Sequence, residues 1–338
     1  MCTFLLLSLL SGILEIGVVL SMYYAGKPAW EILLMGSMYQ LGNLLFFPGK
    51  LKQPLLRVLG IINLCLGLAG MYWDNPAITA GQVVLSSLCI QAVRARQKGT
   101  CPTWLKRMFR IGGFLLAPLM VVYPGEMLFL CAAIPFGAAM GSWKGWDAAE
   151  ENISGKGLSV TMIFHQMHYF TYTYAMPLVV LGLTRNLYLC AALYALTWVI
   201  YLLPGLMAGK RKGYDPRILF FICHLFLAAV MGGLTASFLT GNITIGFLAW
   251  MLTGLGGGSV FCIGQLTERD KACNMTLSEN IGHFAGALVP VIVSVAAGQK
   301  MYAVLTLLSA LFVCMALASA AVGIREERRM VKNGNERQ

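Results

Sequence analysis

One carboxylate, Glu15, stands inside the long apolar stretch 3–24. At 1.5 Å of rise per residue it lies roughly 18 Å along a helix begun at residue 3, close to the middle of a bilayer. An ionised carboxylate at that depth costs at least about 2.5–3.5 kcal/mol, so such groups mostly face a cavity and act on ions or substrate. Two chemistries are open to Glu15: proton exchange coupled to movement of a solute, or a protonated hydrogen bond that glues helices together. Lys and Arg are absent from the middle of every apolar stretch. The expected counter-charge is therefore a proton.

The stretch 158–183 carries a second polar group, running Phe164-His165-Gln166-Met167-His168-Tyr169-Phe170-Thr171-Tyr172-Thr173-Tyr174-Ala175-Met176-Pro177. Helical spacing puts His165, His168 or Tyr169, Tyr172 and Met176 on one stripe. Such a stripe is either packed core or the wall of a binding cavity, and two histidines in apolar surroundings favour the wall. His165 and His168 are spaced to share a metal, but further ligands are scattered over other helices, so no metal site is expected. His224 reads as a packing histidine. Gln82 and Trp250 are further substrate contacts, and Asn43 and Asn63 are interhelical hydrogen bonds. Glu279 and His283 are four apart and can pair as a gate contact or a helix-end stabiliser. The run Gly254-Leu255-Gly256-Gly257-Gly258 is either close helix packing or a bendable gate centred on Gly257.

These residues need a membrane to stand in. The chain of 338 residues is 58% hydrophobic and 12% charged, which leaves too little polar surface for a soluble domain. Apolar runs at 3–24, 29–48, 55–73, 77–94, 109–123, 125–143, 158–183, 187–208, 216–235, 242–264, 278–298 and 301–323 each approach the length a helix needs to span a bilayer. Of the 25 Lys and Arg, all but Lys27, Arg185 and Lys300 fall in alternate connections, Arg110 being assigned to the loop before the fifth run. The positive-inside rule then places both termini in the cytoplasm. The net charge of +11 is that of loops facing an anionic leaflet, not of a nucleic-acid surface. The first run lacks the basic start and cleavage pattern of a signal peptide. Ten cysteines are scattered singly and read as small apolar residues.

Two echoes divide the chain. Phe46-Phe47-Pro48-Gly49 recurs as Leu202-Leu203-Pro204-Gly205, and Ile111-Gly112-Gly113-Phe114 before Pro118 recurs as Ile281-Gly282-His283-Phe284 before Pro290. They point to two parallel six-helix repeats: 1–143, a loop at 144–157 carrying Asp147, Glu150 and Glu151, then 158–323 and a basic tail at 324–338. Parallel repeats place a binding site between halves near the bilayer midplane.

Over its whole length this pattern resembles the major facilitator superfamily. The family's loop motif after span 2 is worn, with Gly49 and Leu51 kept but Gln53 and Pro54 where Asp and Arg belong; Lys210, Arg211 and Lys212 follow span 8. Gly113-x-x-x-Ala117-Pro118 looks like a worn form of a motif of the family's antiporters, making Gly113 and Pro118 gating candidates. The resemblance implies an all-α protein in which helices 1, 4, 7 and 10 line a central cavity. It also implies a monomeric secondary transporter, multi-pass in a bacterial inner membrane, moving a small neutral or cationic organic solute with protons and no cofactor. Efflux is the expected direction and import the alternative. No nucleotide loop or catalytic constellation supports an enzyme, and a transport-inactive membrane partner is the remaining class.

Overall fold

The computed structural model describes residues 2–46, 52–96, 102–141, 157–208 and 215–335. The loop with Asp147, Glu150 and Glu151, the run Lys210 to Lys212, and Gly49 with Leu51 lie outside the described residues. The elements are α1 (Cys2–Tyr24), α2 (Ala29–Leu45), α3 (Gln53–Tyr72), α4 (Pro76–Arg96), α5 (Thr103–Leu116), α6 (Leu119–Val122), α7 (Pro124–Met140), α8 (Val160–Thr173) and α9 (Ala175–Thr184). They continue with α10 (Leu187–Ala208), α11 (Pro216–Thr240), α12 (Ile243–Gly257), α13 (Glu268–Lys271), α14 (Met275–Ala296) and α15 (Met301–Asn335). A 3₁₀ segment, Gly258–Gln265, extends α12.

Among the described residues each of the twelve expected runs is helical, and eight form helices long and apolar enough to cross a membrane. Of the other four, α2 and α7 have 17 residues each, and two are cut by proline. Pro118 has no N–H for the Phe114 carbonyl, which accepts from Ala117 N instead at 3.2 Å, so α5 stops and α6 restarts. Pro177 likewise leaves the Thr173 carbonyl without its helical donor, and the helix breaks at Tyr174. The tail expected from 324 is not separate: α15 runs unbroken for 35 residues.

Glycines set how closely the helices within each half approach. A Cβ on Gly113 would strike the Leu9 carbonyl of α1, and one on Gly282 would lie 2.6 Å from the Ile163 carbonyl of α8. Similarly, a Cβ on Gly42 of α2 would strike the Val84 carbonyl of α4, and one on Gly254 of α12 would lie 2.5 Å from the Thr197 carbonyl of α10. Thus spans 1 and 5, and 2 and 4, pack backbone to backbone in the first repeat, as do 7 and 11, and 8 and 10, in the second. Lipid tails are as apolar as leucine, so close approach of this kind, with interhelical hydrogen bonds, is what holds membrane helices together.

Two compact units result, Met1–Ile153 with Tyr174–Ala195, and Ser154–Thr173 with Leu196–Gln338. The sequence boundary puts 174–195 in the second half, whereas the first unit takes in this stretch. The chain leaves the second unit at the α8–α9 break and re-enters it within α10.

Candidate functional site

In the first unit, α1 and α5 cross at Gly12 and Gly113, and one turn before Gly113 the side chain of Arg110 reaches Glu15. Arg110 Nη2 lies 2.5 Å and Nε 3.2 Å from Glu15 Oε2. Glu15 is fully buried, and the Arg110 side chain is 20% exposed. The absence of a cationic partner expected from the sequence is therefore wrong. Arg110 is not in a loop: α5 begins at Thr103, six residues before the apolar run at 109, so a polar first turn hid the helix start. The other carboxylate oxygen accepts from Tyr194 Oη at 3.5 Å, and the Tyr194 ring packs edge-on against Phe114 at 4.9 Å.

Neighbouring polar groups form a connected set. Ser11 Oγ and Tyr39 Oη are 2.8 Å apart. Gln40 donates to Tyr174 Oη at 2.5 Å, Asn43 donates to Gln40 at 2.9 Å, and Ser87 donates to Asn43 at 2.8 Å. Asn63 pairs with Ser86 across α3 and α4 at 3.0 Å, so both asparagines are interhelical bonds as expected. Gln82 turns toward Gly67 and Gly70 of α3, and its amide has no hydrogen-bond partner among the described residues.

In the second unit, α8 carries His165, His168, Tyr169 and Tyr172, all buried. His224 joins them from α11: its Nδ1 lies 2.9 Å from the Phe220 carbonyl, and its Nε2 lies 2.8 Å from His165 Nδ1. A carbonyl only accepts, so His224 carries its proton on Nδ1 and offers Nε2, and His165 must donate from Nδ1. His165 Nε2 is then the bare acceptor of the pair. Ser259, in the 3₁₀ segment, donates to the Gly256 carbonyl at 2.8 Å and lies 3.2 Å from His224 Nδ1. The histidine pair thus ties α8 and α11 to the segment where α12 changes its helical form. His168 lies 5.0 Å from His165 ring to ring, and neither of its ring nitrogens has a hydrogen-bond partner among the described residues. No group of three or more metal-ligating side chains occurs among the described residues.

The stripe ends at Tyr172. Met176, expected to continue it, follows the break and belongs to α9 in the first unit. Trp250 is buried on α12. Glu279 and His283 pair at 3.6 Å, with Gln166 donating to Glu279 at 3.5 Å and the His283 ring 4.3 Å from Phe170. Gly257 closes α12 where the 3₁₀ segment begins, while Gly254 and Gly258 seat against α10. Arg110, Tyr39, Tyr194, Gln40, Tyr174 and Ser259 were not singled out in the sequence. Arg110 alone had a signal, its place directly before the echoed Ile111-Gly112.

Three solved structures are similar over almost the entire chain. A bacterial metal transporter is 14% identical with TM-score 0.61, covering 95% of this chain and 97% of its own. A proton:xylose symporter of the major facilitator superfamily is 11% identical with TM-score 0.58, covering 94% of each chain. The chain has the major facilitator fold. A nucleoside transporter with this fold is 12% identical with TM-score 0.57, covering 95% of this chain and 98% of its own. No family model matches the chain, and no curated protein matches it. Within the major facilitator fold, Glu15 stands on span 1, Arg110 on span 5 and the histidines on spans 7 and 9.

Proposed function

We propose that the chain is a proton-coupled secondary transporter of a small neutral organic solute, working by alternating access in a membrane with both termini cytoplasmic. The buried ion pair between Glu15 and Arg110 carries this proposal. Removing one member of such a pair strands a buried charge, so the unprotonated pair is locked. A proton on Glu15 neutralises the carboxylate and releases Arg110. One proton therefore switches the contact between α1 and α5, which is what coupling transport to a proton gradient requires. Because Arg110 cancels the charge of Glu15, a cationic solute loses its anionic anchor. The uncharged rings of His165, Tyr169, Tyr172 and Trp250 suit a neutral solute with hydrogen-bonding groups.

Neither efflux, expected from the worn motif at Gly113 and Pro118 and from Glu15 on the first helix, nor import is favoured by the seating of Gly113 against α1. Direction is measured instead. Proteoliposomes holding the purified protein are given a total metabolite extract outside, a pH gradient of either sign is imposed, and the trapped solutes are read by mass spectrometry. At least one neutral solute should accumulate or be excluded under one sign of gradient, and not when Glu15→Gln/Arg110→Gln is used. If no solute responds to either gradient, the proposal fails.

A further inference from the structure

The charged end of α15 is tied down by its acidic residues. Glu327 pairs with Arg217 at the start of α11 at 2.9 Å, and Glu326 with Arg269 at 3.9 Å. Arg217 also donates to the Leu266 carbonyl at 3.0 Å. Using both carboxylates in this way fixes the rotation of α15, and it turns Arg325 and Arg328, one turn apart, toward α11. Neither has an ion-pair partner among the described residues.

Between α11 and α15 the two arginines overlook an open cavity of about 680 Å³. Its wall is the stripe Ile218, Ile222 and Leu225, which are 61%, 59% and 61% exposed. Arg217, Arg325 and Arg328 stand at its rim, with Asp215 as the one acidic group there. Asp215 is engaged as the cap of α11, accepting from Arg217 N at 2.8 Å. An aliphatic wall continuous with a membrane-facing helix, under a rim of net positive charge, matches a molecule with an acyl chain and an anionic head.

We propose that this groove is a binding site for an anionic phospholipid, its phosphate held by Arg325 and Arg328 and its acyl chain laid along Ile218, Ile222 and Leu225. The site rests on charge complementarity and on the shape of the second unit alone, independently of what the protein transports. Basic pockets between membrane helices are known lipid-headgroup sites, each basic residue adding about 1 kcal/mol near an anionic surface.

The test uses the full chain in detergent, with phosphatidylglycerol and phosphatidylcholine of equal chain length titrated separately and bound lipid counted by native mass spectrometry. Phosphatidylglycerol should bind more tightly and raise the melting temperature. Arg325→Gln/Arg328→Gln should weaken it roughly thirtyfold, two basic residues' share, while melting as the parent does without lipid. Arg329→Gln, which removes a charge just outside the groove, should bind as the parent does. Equal binding of the two lipids, or an equal loss in Arg329→Gln and the double variant, overturns the site. Inorganic phosphate that protects as well as the lipid makes it a soluble-anion site and also overturns the proposal.

Discussion

Gly113 faces Gly12 so closely that a Cβ on Gly113 would lie 3.0 Å from the Gly12 Cα, and that approach places Arg110 against Glu15. Enlarging either glycine must push α1 and α5 apart. Gly113→Val should lower stability by about 1–3 kcal/mol or more, the cost of overpacking where backbone cannot yield. Gly112→Ala is the control, because its Cβ would meet only the Leu9 side chain at 3.6 Å. Thermal unfolding in detergent compares them, and equal melting of both variants and the parent would count against the crossing.

The histidine pair makes a prediction about proton positions. Neutral His165 and His224 should both carry the proton on Nδ1, since His224 donates to the Phe220 carbonyl and His165 to His224. Nitrogen-15 NMR of histidine-labelled protein, assigned by single His→Gln variants, reads the tautomers directly. Nε2–H signals for either residue would break the chain of donors. His224→Phe should cost about 1–3 kcal/mol by leaving the His165 donor buried without a partner.

The twelve runs were legible because a bilayer imposes length and apolarity on a local stretch, and the repeat was legible because Pro48-Gly49 recurs as Pro204-Gly205 and Ile111-Gly112 as Ile281-Gly282. What the sequence hid are pairings between distant helices. Arg110 read as a loop residue because helix start and apolar start differ by six residues on α5, and Met176 read as part of a stripe because periodicity does not see Pro177. His224 read as packing because its partner is 59 residues away. Tyr39 and Tyr194 carry no local signal, since a tyrosine in an apolar run is ordinary until its neighbour is known.

Asp270 is fully buried and accepts from Ser159 Oγ and Thr267 Oγ1, each at 2.9 Å, while its own N–H bonds back to Thr267 at 3.1 Å. Ser159 in turn accepts from Met162 N at 3.2 Å in the first turn of α8. One carboxylate thus holds both Thr267, the cap of α13, and Ser159 at the entry of α8. Asp270→Ala should cost about 1–3 kcal/mol through unsatisfied partners, and Asp270→Asn less. Melting temperatures that leave Asp270→Ala at the parent value would show that the bonds contribute nothing.

Orientation follows from the charge pattern. In a cysteine-free background, a cysteine at exposed Asp74 should react with an impermeant thiol reagent in intact cells. One at exposed Lys271 should react only after the membrane is opened. The reverse pattern, or reaction of both in intact cells, would invert or remove the proposed placement of the termini.

The last prediction separates an ion pair from a lone acid. If Glu15 stood alone, Glu15→Gln would be the mildest of substitutions, keeping size and hydrogen bonding. Against Arg110 it strands a guanidinium in a buried place, and Arg110→Gln strands a carboxylate, each at about 3–5 kcal/mol. Glu15→Gln/Arg110→Gln leaves two amides able to bond each other, so it should melt above both single variants. The same double variant has nothing at this position to titrate. It should therefore fold and reach the membrane, yet fail to build a solute gradient from a pH gradient, while solute exchange at equal pH persists. Additive losses in the double variant would show that the two residues do not act as a pair. A double variant that still concentrates solute would place the coupling proton elsewhere, with the bare Nε2 of His165 the next group to test.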